Sequence, residues 1–71
     1  MEYSMREGLI CVERGRTRHE ALDDALKWMN GFLISSMAEL ESVSVQYEKL
    51  AETDEYECTL TFIYKNTKYC E

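Results

Sequence analysis

The amino-acid sequence predicts a small α+β domain with the element order βαββ, in which one long helix packs on one face of a three-stranded sheet. Three observations support this fold class. Residues 9–13 form a short apolar run, residues 18–36 repeat apolar side chains at helical spacing, and residues 41–65 contain two alternating runs joined by an acidic turn. A chain of 71 residues has room for one domain, which we expect to span residues 1–71.

The first strand is predicted at residues 8–14, where Leu9 and Ile10 begin an apolar and partly β-branched run. Gly15 is expected to form the turn that follows, because glycine adopts backbone angles that other residues resist. Residues 1–8 mix apolar and charged side chains, so they form either a frayed, flexible leader or an early extension of this strand.

The helix is predicted at Arg18–Ser36. Thr17 and Glu20 match a capping box, in which the threonine accepts from the third helical amide and the glutamate reaches back to the threonine amide. Asn30-Gly31 lowers the helical propensity without breaking the apolar period, which leaves a kink or a close approach at the glycine open. An apolar face wide enough for a three-stranded sheet is predicted from Leu22, Leu26, Met29, Leu33 and Met37.

The rest of the chain predicts a hairpin, with residues 41–50 and 56–65 as its strands and residues 51–55 as its polar turn. A right-handed crossover through the helix makes strands one and two parallel. The third strand is richest in β-forming residues and is expected between them, antiparallel to both, so the predicted order is 1-3-2. Residues 66–71 are polar and expected to be flexible at their end.

One face of the predicted sheet contributes to the core and the other is semi-polar. The predicted core residues are Met29, Leu33, Leu60, Phe62, Val43, Val45 and Ile10. The semi-polar face carries Thr59, Thr61, Ile63, Gln46 and Leu50. We expect a second copy of the chain to pack on this face or against an open strand edge, because either would otherwise stay exposed.

Charge and cysteine content exclude several classes of protein. Fourteen acidic and eight basic residues give a net charge of −6, which argues against direct nucleic-acid binding because phosphate contacts need clustered basic residues. No apolar run approaches the length of a membrane span. Cys11, Cys58 and Cys70 are widely spaced, so we expect reduced thiols in a cytoplasmic protein and no metal site. The first two are expected to be buried and Cys70 to be an exposed tail thiol.

Three segments carry a resemblance to a known family. They are residues 29–33, residues 42–47 and residues 58–65, the last ending in Ile63-Tyr64-Lys65. Together they resemble small sporulation proteins that endospore-forming bacteria make under the sigma-E factor, with relatives in the phages of those bacteria. The resemblance covers about residues 9–65 and implies a short acidic protein with a strand, a helix and a hairpin, and without catalytic residues. The element order is also similar to that of dodecin, a βαββ protein that assembles into shells and binds flavin.

Few residues are candidates for catalysis. His19 is the one histidine, and its position near the start of the helix predicts a solvent-exposed side chain without an orienting acid. Asp23 and Asp24 point about 100° apart on a helix, so they do not form a carboxylate pair. We therefore predict that the protein is not an enzyme and uses no cofactor.

Two functions stay open. The first is a self-associating protein-interaction module that binds or inhibits another protein, such as a host protein if the chain is phage-encoded. The alternative is a homo-oligomer that sequesters a nucleotide-like or flavin-like ligand, with aromatic rings lining a pocket between subunits and arginines binding an anion. The predicted partner or ligand surface consists of Trp28, Gln46, Tyr47, Glu48, Tyr56, Arg14, Arg16 and Arg18.

Overall fold

The predicted element order and strand order are confirmed. The computed structural model describes the backbone of residues 2–69 and the side chains of residues 6–66, so Cys70 and its expected exposure lie outside the described residues. The three strands form one sheet in the order 1-3-2, with the third strand antiparallel to both neighbours. The elements are β1 at Glu2–Gly15, α1 at Arg18–Ser36, β2 at Glu39–Lys49 and β3 at Tyr56–Tyr69.

One end of the sheet is longer than predicted, because both β1 and β3 extend there. β1 begins at Glu2, so residues 2–8 extend the strand, and β3 continues to Tyr69 instead of ending at Lys65. The two strands pair in one continuous register from Glu2 opposite Tyr69 to Gly15 opposite Tyr56. The molecule is therefore elongated, with a radius of gyration of 14.9 Å, whereas a compact domain of this length has about 11 Å.

The start of α1 follows the predicted capping box with one difference. The Thr17 hydroxyl accepts from the Glu20 backbone N–H at 3.1 Å, as predicted. The Glu20 carboxylate accepts from the Arg16 backbone N–H at 3.0 Å, and not from the Thr17 amide. Gly15 does not adopt a positive φ, so its expected role as a conformational turn residue is wrong. A Cβ at this position would lie 2.7 Å from the Ala21 nitrogen, so the strand needs glycine for space.

The middle and end of α1 are regular. The helix continues through Asn30-Gly31, and a Cβ added to Gly31 would meet nothing within 4 Å, so the close approach considered for this glycine is wrong. Met37 adopts a left-handed conformation with φ 55° and caps the helix. The prediction that Met37 belongs to the apolar face is wrong, because as the cap residue it is 89% exposed. Within residues 2–69, no helix combines the length and the apolar character needed to span a membrane.

The core lies between α1, β1 and β3. The helix buries Ala21, Ala25 and Met29, which recur every four residues along one line. The predicted burial of Met29, Leu60, Phe62 and both thiols is confirmed, and Leu33 packs against the core as a partly buried side chain. The buried sheet residues are Cys11, Cys58, Leu60, Phe62 and Tyr64.

Ile10 does not belong to the core, and its prediction is wrong. It is 66% exposed and lies opposite Thr61, on the side of the sheet that faces away from α1. Its neighbours Leu9 and Cys11 are the β1 residues that pack towards the helix. Side chains alternate along a strand, so only one of the two sets can face the helix.

Val43 and Val45 also lie outside the core. They are on the predicted side of the sheet, opposite Phe62 and Leu60, but they are 47% and 37% exposed. The cause is the position of α1, which packs on β1 and β3 and barely touches β2. The prediction that one helix covers all three strands is therefore wrong, and every residue of β2 is exposed.

Candidate interaction surfaces

Two apolar surfaces remain on the sheet. The side of the sheet away from α1, here called the open face, has no described element over it. The second surface is the part of β2 that α1 leaves bare on the helix side, here called the β2 strip, and it consists of Val43, Val45 and Tyr47. Both surfaces arise because one helix cannot cover three strands on two sides.

The centre of the open face is apolar. Ile10, Val12 and Ile63 are 66%, 50% and 42% exposed. The β1–β3 register makes them contiguous, because Ile10 and Val12 lie opposite Thr61 and Thr59, and Ile63 lies opposite Gly8, two residues before Ile10. The register also confirms that both threonines, Ile63 and Gln46 share this side of the sheet. Leu50 is predicted on this face too, but it is not part of the sheet. It follows β2, and its carbonyl accepts from the Asp54 N–H in the turn at 2.9 Å.

Charged side chains surround this apolar centre. Arg14 Nε lies 3.3 Å from Glu57 Oε2 at one end of the open face, and Arg6 Nε lies 2.9 Å from Glu41 Oε2 at the other. Within residues 6–66 the face is therefore almost neutral, although the whole chain has a net charge of −6. The basic residues of this described part are Arg6, Arg14 and Lys65, and its acidic residues are Glu39, Glu41, Glu48 and Glu57.

The β2 strip borders an aromatic cluster. The ring of Trp28 stacks on Phe32 with a centroid separation of 5.8 Å and an interplanar angle of 3°. It also makes an edge contact with Phe62 at 6.1 Å, and Phe62 is the cross-strand neighbour of Val43. Trp28 is 45% exposed, so this ring lies at the rim of the core and extends the apolar surface of the strip.

Arg18 and two tyrosines meet at the other end of the strip. The guanidinium carbon of Arg18 lies 5.9 Å from the ring centroid of Tyr47 and 5.3 Å from that of Tyr56, within the range of cation–π contacts. Lys49 Nζ lies 5.9 Å from the Tyr56 centroid and 3.2 Å from Asp54 Oδ1. The hydrogen bond that Lys49 donates to Asp54 raises the pKa of the Lys49 amino group. The Arg18 contacts join the first turn of α1 to the end of β2 and the start of β3.

The predicted site residues are thus divided between two surfaces. Tyr47, Tyr56, Arg18 and Trp28 lie on the helix side of the sheet. Gln46, Glu48 and Arg14 lie on the open face. Arg16 is exposed in the turn before α1, so the three arginines do not form one anion-binding cluster. The open-face residues Ile10 and Val12 were missed because every position in their run is apolar, which removes the alternation that would assign a face.

Two shallow depressions are present on the described surface. One, of about 410 Å³, lies beside the hairpin turn and is lined by Arg14 and residues 48–53. The other, of about 330 Å³, lies at the start of α1 and is lined mainly by charged side chains such as Glu20 and Asp23. No aromatic ring lines either depression in the part of the chain that the structure describes. Neither of these two depressions therefore has the aromatic lining that the ligand hypothesis predicts.

The thiols of the described chain are not activated as nucleophiles. Cys11 and Cys58 are free and buried. Burial raises the pKa of both thiols, and the negative charge of Glu13 and the neighbouring Cys58 raise that of Cys11 further. A thiol with a raised pKa is a poor nucleophile at neutral pH. Among residues 6–66, no three histidine, cysteine, aspartate or glutamate side chains come together as metal ligands.

Comparison of the chain with protein-family models, with curated proteins and with solved structures finds no match. The resemblance to the sporulation family therefore stays a prediction, and the two exposed apolar surfaces are the observations from which a function can be proposed.

Proposed function

We propose that this chain is a non-enzymatic protein-interaction module that self-associates through the open face of its sheet and binds a second protein. The observation that supports this proposal best is the exposure of Ile10, Val12 and Ile63 as one contiguous patch on a sheet face over which the described residues place no other layer. Sheets with an apolar face usually bury it against another layer, and a second molecule can supply that layer here.

A second copy of the chain fits this patch. Two-fold symmetry brings the same surface together from both subunits, so the apolar centre of one copy meets the apolar centre of the other. Burying a Val or Ile side chain completely contributes about 1.5–3 kcal/mol, and the half-exposed residues here would contribute part of this. The open face is nearly neutral, so pairing it avoids the repulsion that other surfaces of a chain with net charge −6 would cause.

Binding to a second protein is the further part of this proposal. It is supported by the exposure of Trp28 and Tyr47, since aromatic side chains are enriched at protein interfaces. If the chain is a phage-encoded relative of the sporulation proteins that it resembles, the partner is a host protein that it inhibits. Co-purification of one host protein with the unmodified chain, lost in Trp28→Ala, would identify such a partner.

The test of self-association is the mass of the protein in solution, measured by sedimentation or light scattering over a range of concentrations. We expect the unmodified protein to form a dimer or a larger assembly, and Ile10→Lys to shift it towards species of lower mass. Ile34→Lys is the matched control, because this isoleucine is 78% exposed on α1 and the charge change is the same. A strictly monomeric protein would overturn the proposal, and equal effects of both variants would overturn the role of the open face.

A further inference from the structure

The free edge of β2 is a second surface suited to pairing. β2 is hydrogen-bonded to β3 along one edge, and within the described backbone its other edge has no partner strand. All eleven residues of Glu39–Lys49 are exposed. Exposed edges are usually blocked by charged side chains, but residues 42–47 of this strand carry none. Such an edge is a template for another strand.

The usable part of this edge is limited by an irregularity. The β2–β3 register shifts between Leu40 and Ser42, which places a bulge at Glu41. A bulge bends a strand and ends regular pairing. The regular part of β2 therefore runs over residues 42–49, and its middle is near Val45.

We propose that two copies of the chain pair antiparallel along β2, with Val45 opposite Val45 of the partner subunit at the two-fold axis. The two sheets then join into one sheet of six strands, with both helices on the same side. This inference rests on the proposed self-association but uses a surface separate from the open face, because Val45 and Ile10 lie on opposite sides of the sheet.

The side chains of the strip specify this register. With Val45 at the axis, Val43 lies opposite the partner's Tyr47 and Ser44 lies opposite the partner's Gln46, so apolar meets apolar and polar meets polar. Ser42 lies opposite the partner's Glu48, which keeps acidic side chains apart. In the regular part of β2, each apolar residue on the helix side thereby lies opposite an apolar residue of the partner.

Other registers are less complementary. Moving the axis to Ser44 places Tyr47 opposite the partner's Glu41. Moving it to Gln46 places Val43 opposite the partner's Lys49. If one β2 strand instead slips by a single residue relative to the other, the partner's valines turn to the other side of the sheet, and the two apolar strips are separated. The register with Val45 at the axis is therefore the one that the sequence of β2 favours.

Disulfide trapping tests this arrangement. Paired residues in antiparallel strands have Cα atoms about 4.5–5.5 Å apart, within the range of about 4.4–6.8 Å that a disulfide spans. In a Cys70→Ser background, we expect Val45→Cys to form covalent dimers nearly completely in a mild glutathione redox buffer. Cys11 and Cys58 are buried and do not compete. Ser35→Cys, at an exposed position on α1, reports the linkage that random collision produces.

The outcomes separate this inference from the proposed function. An oligomeric protein whose Val45→Cys variant links no faster than Ser35→Cys would overturn edge pairing and leave self-association intact. Faster linkage of Ser44→Cys than of Val45→Cys would overturn the register. Rapid linkage of Val45→Cys in an Ile10→Lys background would support edge pairing even if the open face does not associate. Circular dichroism of each variant checks that it is folded.

Discussion

Val45 and Leu60 are direct neighbours across the β2–β3 ladder, and both point to the helix side of the sheet, yet Leu60 is fully buried whereas 37% of Val45 is exposed. The difference arises because α1 covers β3 and leaves β2 bare. Two neighbours on one face thus have different surroundings, since Leu60 belongs to the core and Val45 remains accessible at the surface.

The different exposure of Leu60 and Val45 predicts that truncating each to alanine lowers the free energy of unfolding by different amounts. Leu60→Ala should lower the free energy of unfolding by about 2–5 kcal/mol, because it opens a cavity in the core. Val45→Ala should lower it by less than about 1 kcal/mol, within the range of strand propensities. Urea denaturation at low protein concentration, where association contributes little, measures both. Similar losses for the two variants would contradict the position of α1.

Alanine substitutions of the glycine before α1 and of the glycine within it should change the stability of the protein in opposite directions. Gly15→Ala should destabilise the protein, because its Cβ would lie 2.7 Å from the Ala21 nitrogen and 2.9 Å from the Glu20 Cβ. Gly31→Ala should stabilise it by about 1 kcal/mol, since the site is open and alanine is the better helix former. Thermal unfolding of both variants gives the comparison, and a stable Gly15→Ala protein would be inconsistent with the tight strand–helix turn.

The hydrogen bond between the buried Tyr64 and the exposed Glu7 predicts a dependence of stability on alkaline pH. The Tyr64 hydroxyl donates to Glu7 Oε2 at 2.7 Å, and this hydrogen bond is the main reason that the pKa of Tyr64 is raised, with burial and the charge of Glu7 adding to it. Because the pKa is higher in the folded than in the unfolded state, its contribution is present below about pH 10 and is lost as the pH rises through the raised value.

Tyr64→Phe should therefore show a shallower fall in stability above about pH 10 than the unmodified protein. Urea midpoints over a series of pH values measure the slope. Tyr47→Phe serves as the control for loss of a hydroxyl at an exposed position. Equal slopes for the unmodified protein and Tyr64→Phe above about pH 10 would show that Tyr64 does not cause the pH dependence.

The two buried thiols should react slowly in the folded protein. Cys11 is 6% exposed and Cys58 is fully buried, and burial raises the pKa of each. In a Cys70→Ser variant, we expect a thiol reagent such as DTNB to label both cysteines slowly at pH 8 and rapidly in urea. Ser35→Cys provides an exposed thiol for reference. Labelling of Cys11 and Cys58 as fast as this reference would contradict their burial.

Local sequence patterns were sufficient to predict the helix and the strands, but not to predict which face of each is buried. The capping residues Thr17 and Glu20 located the start of α1, and the alternation of residues 56–65 identified the central strand. Ile10 was assigned to the wrong side because the run from Leu9 is apolar on both faces, and only its pairing with β3 decides which side meets the helix. The extension of β1 to Glu2 likewise depends on pairing with residues far away in the chain.

By itself, the sequence determined the order, type and approximate bounds of the elements, because helical periodicity, capping and strand alternation are properties of neighbouring residues. Only the tertiary structure decided which faces are covered. The helix lies over β1 and β3 along its line of Ala21, Ala25 and Met29, and two of these are small residues that have no strong signature in an apolar pattern. Which surfaces of the sheet are covered depends on contacts between elements that are distant in the sequence. The open face and the β2 strip could therefore be identified only from the packing of the elements.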